Sequence, residues 1–224
     1  MKEKKIAAEA AVEFVEDGMI VGLGTGSTVG FFINGLVPRI KAGLKITAVS
    51  TSQKTTELAK SIGIELINLN EADEIDLTVD GADEVDKDLN GIKGGGGALL
   101  YEKIVAGYSK KNIWIIDSTK LVETLGKFPL PVEVMKFGCN QLLTKLEMRG
   151  YNPKFRMNNN NYFITDSNHY IIDLYLGRID KPETLDREIK SFPGVVETGL
   201  FIDFADVVIV GRGEKVEIIN KGLK

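Results

Sequence analysis

The residues best suited to chemistry lie in one stretch, Asp80–Glu102, which reads DGADEVDKDLNGIKGGGGALLYE and holds six carboxylates and six glycines in 23 residues. Asp80 and Asp83, with Gly81 and Ala82 between them, follow the apolar run Ile75–Val79. Carboxylates at a strand end can handle protons or bind sugar hydroxyls, although a solvated acidic loop reads the same way. Lys93 then precedes Gly94, Gly95, Gly96 and Gly97. Each glycine makes ordering the chain more costly in entropy, so four together point to backbone held close to a ligand or at positive φ, or else to a mobile lid. Glu102 lies just beyond, in the first turns of a predicted helix, where it is either a base or a surface acid beside Lys103. Asp86-Lys-Asp88-Leu-Asn90-Gly91 imitates the start of a calcium loop. Its twelfth position is Gly97 rather than glutamate and a strand precedes it, so no calcium site is expected, and Asp86 and Asp88 are expected to be solvated.

A second glycine loop, Gly22-Leu-Gly24-Thr25-Gly26-Ser27-Thr28, joins an apolar run to a helical one. Backbone N–H groups and hydroxyls in such a loop can surround a phosphate at the positive end of a helix. A dinucleotide fingerprint counted from Gly22 and Gly24 needs glycine where Ser27 stands, and an acid where Ser50, Thr51 and Ser52 end the next strand. A nucleoside-triphosphate loop needs a lysine that is absent here. A small phosphate held by Thr25, Gly26, Ser27 and Thr28 remains, beside the plainer possibility of a tight turn with Thr25 or Ser27 as helix N-cap.

These segments need a scaffold, and the hydrophobic pattern supplies one. Helix over 4–17 up to Gly18, strand Met19–Leu23, helix Ser27–Lys41, strand Lys45–Val49, helix Ser52–Ser61 and strand Ile64–Ile67 alternate with short links. Strand Ile75–Val79, helix Ala98–Lys110 and strand Ile113–Ile116 continue the series. This order predicts an α/β fold with a doubly wound, mainly parallel, Rossmann-like sheet that binds ligands at the carboxyl ends of its strands. The texture changes at Phe128-Pro-Leu-Pro131. Strand Val132–Phe137, helix Asn140–Arg149, strands Lys154–Met157, Tyr162–Thr165 and Tyr170–Leu174, helix Pro182–Ser191 and strand Val195–Thr198 then suggest a smaller ferredoxin-like α+β domain. Asn158–Asn161 is the expected turn between two of these strands. Strands Asp206–Val210 and Val216–Ile219 should rejoin the first sheet, giving one domain over 1–129 plus 205–224 and a second over 130–204.

Composition narrows the classes. Hydrophobic content of 43%, charged content of 27% and a net charge of −4 without a basic block fit a globular protein and argue against nucleic acid. The lysine- and glutamate-bearing start is an amphipathic helix rather than a signal peptide, and no apolar run is long enough to span a membrane. The single cysteine, Cys139, excludes an intrachain disulfide framework and fits a reducing, cytoplasmic setting, with the residue itself expected in packing. The single histidine, His169, weakens any scheme that needs a histidine base and is expected at the surface. Tyr101 is expected in packing.

Taken together, Gly24-Thr-Gly-Ser-Thr28, Asp80-Gly-Ala-Asp-Glu84, Lys93-Gly-Gly-Gly-Gly97 and Glu102 resemble the type A ribose-5-phosphate isomerases. The likeness extends through Asp117-Ser-Thr-Lys120, Gly126-Lys-Phe-Pro-Leu-Pro-Val-Glu-Val134 and Phe192-Pro-Gly-Val-Val196 along essentially the whole chain. It implies interconversion of ribose 5-phosphate and ribulose 5-phosphate through an enediol, without metal or organic cofactor. By the same resemblance Glu102 is the base between C2 and C1. Asp80, Asp83 and Lys93 hold the reacting end and assist ring opening, and Gly94, Gly95 and Gly96 complete the binding loop. Thr25, Gly26, Ser27 and Thr28 take the phosphate, Lys120 is a further binding lysine, and Lys4 is a candidate to reach the phosphate. Gly97 departs from the alanine common in the family and is expected to loosen the loop. The substrate is a phosphorylated pentose, and the expected assembly is a homodimer or homotetramer.

Two other classes share parts of the pattern. A non-catalytic sugar-phosphate sensor, like the effector domains of some bacterial transcription regulators, needs the phosphate loop but not Glu102 as a base. Such proteins normally carry a DNA-binding helix-turn-helix, for which the roughly 18 residues before the first strand are too few. Another enzyme of similar architecture, such as an amino-sugar-phosphate deaminase, lactonase or coenzyme A transferase, is the other alternative. The deaminase usually requires a ring-opening histidine.

Overall fold

The computed structural model describes residues 1–222. Leu223 and Lys224, included in the first expected domain, lie outside the described residues. In chain order the elements are α1 (Lys2–Val12), β1 (Ile20–Leu23), α2 (Ser27–Lys41), β2 (Thr47–Ser50), α3 (Gln53–Ser61), β3 (Glu65–Leu66), β4 (Leu77–Asp80), β5 (Glu84–Val85) and β6 (Gly91–Ile92). There follow α4 (Leu99–Gly107), β7 (Asn112–Asp117), β8 (Leu130–Val134), α5 (Cys139–Met148), β9 (Pro153–Phe155), β10 (Met157–Asn158), β11 (Asn161–Tyr162) and β12 (Tyr170–Leu174). The last are α6 (Pro182–Lys190), β13 (Val195–Thr198), β14 (Leu200–Phe201), β15 (Val207–Arg212) and β16 (Lys215–Asn220). The described residues divide into two compact units, 1–82 with 101–120 and the segment from Asp203 on, and 83–100 with 121–202.

The first unit is built on a seven-stranded sheet in the order β16-β15-β7-β4-β1-β2-β3. Every pairing is parallel except β15 with β16. Consecutive side chains of a strand point to opposite faces, so a strand buried on both faces reads as an unbroken apolar run. β7, with Ile113, Trp114, Ile115 and Ile116 all buried, is such a strand. Ala48 joins a core with Ala8 and Ala11 of α1, Phe32 and Leu36 of α2 and Ala59 of α3. Its neighbour Val49 packs on the other face with Ile75 and Val105 of α4. Sequence order reverses between β1 and β4, and at such a switch point the strand ends diverge and leave a crevice for ligand. α1 ends at Val12, well before the expected stop at Gly18. Gly18 instead closes the following turn at φ +81°, its N–H bonded to the Lys45 carbonyl.

The second unit holds a four-stranded antiparallel sheet, β13-β8-β12-β9, which is the ferredoxin-like order. Alternate residues Leu130, Val132 and Val134 of β8 pack with Cys139, Leu142 and Leu146 of α5 and Ile189 of α6. Cys139 is therefore a packing residue. The expected strand Tyr162–Thr165 is shorter than predicted: β11 pairs with β10 across a turn in which Asn159 takes φ +54°, and Ile164 beyond it makes a single bridge to Tyr170. A three-stranded sheet, β14-β6-β5, has no counterpart in the sequence reading because each strand spans only two residues. Among the described residues no helix is long and apolar enough to cross a membrane.

Candidate active site

In the first unit the Gly24–Thr28 turn leaves β1 at the switch point and runs into α2. One oxygen of Asp80, at the end of neighbouring β4, accepts from the N–H of Thr25 at 3.0 Å and of Gly81 at 2.7 Å. Asp80 is buried, and a Cβ on Gly24 would stand 2.0 Å from that same oxygen, so only glycine lets the two strand ends approach this closely. Gly26 is the N-cap of α2, with no side-chain cap, so neither Thr25 nor Ser27 fills the capping role considered from sequence. The next helix differs, since Ser52 caps α3 by accepting from the Thr55 N–H. The uncapped first turn of α2 keeps backbone donors and the positive end of the helix dipole for an anion. Ser27 is exposed and its Oγ receives a hydrogen bond from the Lys4 ammonium at 3.2 Å, which brings Lys4 of α1 to this loop.

Thr25 and Thr28 are placed differently from Ser27. The Thr25 hydroxyl is held by Thr51 and Ser52, each at 2.8 Å, and Thr28 is buried. Thr51, Ser52 and Thr55 are neighbours of the loop that the glycine motifs do not reveal. Their signal was the Ser-Thr-Ser at the end of β2, which a parallel sheet places beside the end of β1. Glu102 lies on α4 of this unit and is 4% exposed, so it is not the surface acid of the plainer reading. Lys103 beside it is also buried. Tyr101 is exposed rather than packed. Lys120 ends a short 3₁₀ turn, Ser118–Lys120, directly after β7.

In the second unit Asp83 and the glycine run form a closed loop. The Asp83 carboxylate accepts from the Gly95 N–H at 2.8 Å, and the Gly97 N–H returns to the Gly94 carbonyl at 3.0 Å. Lys93 is buried, with its N–H on the Gly199 carbonyl and its ammonium 5.1 Å from the Phe201 ring centroid. Gly95 and Gly96 are exposed. Gly97, expected to loosen this loop, is buried within it. It takes φ +82°, and the edge of the Phe163 ring fills the space where a Cβ would stand.

Three acids have structural roles that their sequence context hid. Glu84 is buried and accepts from the N–H groups of Gly126 and Phe128 at 2.7 and 2.6 Å. Asp86, expected to be solvated, is buried and closes its own turn by accepting from the N–H groups of Asp88 and Asn90. Burial pushes its carboxyl above the usual range, against the pull of those donors. Glu133 is buried in β8, and one of its oxygens receives Thr165 Oγ1 at 2.9 Å and the Ser167 hydroxyl and lies 3.0 Å from His169 Nδ1. His169 is thus half-buried on a carboxylate rather than a surface residue.

Residues 47–215 match the family described as Ribose 5-phosphate isomerase A (phosphoriboisomerase A). The ribose-5-phosphate isomerase A of Levilactobacillus brevis is 51% identical over 219 residues, which is 97% of this chain and 96% of the relative. Among solved structures, a D-ribose-5-phosphate isomerase in complex with phospho-erythronic acid matches with a TM-score of 0.93 at 42% identity, with 97% of each chain covered. The ribose 5-phosphate isomerase of Plasmodium falciparum gives 0.94 at 37% identity, with 98% of each chain covered. Identity at this level along nearly the full length of both chains, with TM-scores above 0.9 to solved members, places the chain in the ribose-5-phosphate isomerase A family.

Proposed function

We propose that Glu102 is the base in the reaction of this family, the interconversion of D-ribose 5-phosphate and D-ribulose 5-phosphate in the non-oxidative branch of the pentose phosphate pathway. Moving a proton between the carbons of a hydroxy-carbonyl pair requires a carboxylate that is positioned and shielded from water. Glu102 is such a group, since it is buried on a helix of the parallel-sheet unit. The enediolate that forms needs donors at the oxygen gaining charge. Lys93 and the glycine-loop N–H groups supply them, and Asp83 assists while anchoring that loop. Asp80 assists by fixing the phosphate turn. The phosphate lies on the uncapped N-terminus of α2, with Ser27, Thr28 and Lys4, and Lys120 adds a further charge. The related enzyme solved with phospho-erythronic acid supports a site for a phosphorylated ligand here.

The observation that carries this reading is the buried Glu102 in the same unit as an uncapped, glycine-lined helix N-terminus at the sheet's switch point. The test is formation of ribulose 5-phosphate from ribose 5-phosphate by wild type and Glu102→Gln. The variant should retain its fold and substrate binding and lose about 10²–10⁴ in kcat. Near-normal turnover would remove Glu102 from the base role. The proposed assembly is a homodimer or homotetramer in the cytoplasm. Tyr101, Ile104 and Tyr108, exposed at helical spacing along α4 and just beyond it, are its candidate contacts, to be checked by light scattering of the wild type and Tyr108→Glu.

A further inference from the structure

We infer that Arg156, held by Asp173, is a positioning residue that sets the direction of the peptide groups in the glycine loop. This rests on the reading of Gly94–Gly96 as a substrate-binding loop. Arg156 follows β9 and Asp173 lies on β12, and their side chains are 14% and 13% exposed. The guanidinium uses all three nitrogens. Nε and Nη2 donate to the two oxygens of Asp173, the first at 2.9 Å. Nη1 donates to the carbonyl of Gly94 at 2.6 Å and of Gly95 at 3.2 Å.

A planar trans peptide points its C=O and the following N–H in opposite directions. Drawing the Gly94 carbonyl toward Arg156 therefore turns the Gly95 N–H the other way, where Asp83 accepts it. Drawing the Gly95 carbonyl toward Arg156 likewise turns the Gly96 N–H, at the exposed crest of the loop, away from the guanidinium. Glycine places no steric restriction of its own on these peptide planes, so an external clamp has to fix them. Only a rigid fork with donors on both edges can grip a carboxylate and two carbonyls together; an ammonium cannot. Asp173 neutralises the charge, so Arg156 delivers orientation and polarised N–H donors rather than net positive potential.

The simpler alternative is that the Arg156–Asp173 pair only braces the small sheet. The test measures kcat, KM and thermal melts for Arg156→Ala, Arg156→Lys, Asp173→Asn and Lys93→Met, with assays run below each melt. Positioning predicts that kcat of Arg156→Ala falls on the order of 10- to 100-fold, the range typical of groups that orient contacting residues. KM should change less than kcat. Added guanidinium ion at about 10 mM, well below the molar range where it denatures, should restore part of that kcat and leave wild type unchanged. Arg156→Lys should not recover wild-type kcat. A folded Arg156→Ala with kcat within about twofold of wild type and only a lower melt overturns the inference. Should Arg156→Ala not fold, Asp173→Asn and Arg156→Lys decide: lowered kcat at unchanged melt supports the clamp, and unchanged kcat overturns it. Lys93→Met separates the two levels. Its loss of turnover beside an unimpaired Arg156→Ala sinks only the clamp, whereas normal turnover of Lys93→Met sinks the binding-loop reading beneath it.

Discussion

Gly97 offers a test in which two readings predict opposite signs. If glycine here merely loosened the loop, Gly97→Ala would restrict the unfolded chain and stabilise the protein by about 0.4–1 kcal/mol. The structure predicts destabilisation for two reasons. First, Gly97 has φ +82°, a left-handed conformation that costs a residue with a Cβ about 1–2 kcal/mol. Second, the new Cβ would stand 2.4 Å from Phe163 Cε1 and 2.5 Å from Cζ. Carbon contacts settle at about 3.5–4.0 Å, so the ring edge has to retreat by about 1 Å. Phe163 cannot simply translate, because its N–H is tied to the Arg156 carbonyl at 2.8 Å. Overpacking of this kind costs a further ~1–3 kcal/mol. The total, about 2–5 kcal/mol, should lower the melting temperature by several degrees, at about 2–4 °C per kcal/mol for a chain of this size. The assay is a double-mutant cycle in urea with Gly97→Ala, Phe163→Ala and the pair. Removing the ring should cancel the overpacking and leave only the backbone cost, giving a coupling of about 1–3 kcal/mol. Additive effects would refute the steric argument, and a stabilised Gly97→Ala would refute both parts.

Lys120→Ala should chiefly raise KM, by an amount equivalent to the roughly 1.5–3 kcal/mol of a charged hydrogen bond; a fall confined to kcat would move Lys120 to the reacting end. Glu3→Gln tests how α1 is fastened. The Gly213 N–H, the Ser118 hydroxyl and the Ser118 N–H hold the Glu3 carboxyl below its usual range. A lowered native pKa contributes stability that is fully present above the ordinary carboxylate range and is lost as pH falls through the lowered value. The melting gap between wild type and Glu3→Gln should therefore be widest near neutrality and close below about pH 4, and a gap that widens in acid would contradict the contact. Chelators should leave isomerase activity unchanged, and a stoichiometric metal whose removal by EDTA abolishes turnover would contradict an isomerisation carried by protein groups alone.

Local order determined what the sequence could tell. The period of apolar residues placed α2 at Ser27–Lys41, its observed bounds, and the alternation of strand and helix implied a parallel sheet with sites at its strand ends. The GTGST, DGADE and KGGGG segments were legible because each is a short contiguous run whose glycines have few plain structural uses. Which acids are chemical and which structural was not legible. Glu84, Asp86 and Glu133 look like surface carboxylates until the fold buries them on N–H and hydroxyl donors, because burial depends on residues far away in the chain. The Asp80 contact with Thr25 spans 55 residues and exists because the sheet order puts β4 beside β1. Lys4 reaches Ser27 because α1 packs on α2, and Arg156 reaches Gly94 across 62 residues. Sequence alone thus determined the longer elements and marked the glycine-rich candidate segments, since both follow from local sterics and periodicity. Tertiary structure decided which of their polar atoms are committed to one another, since hydrogen bonding between distant segments is set by topology.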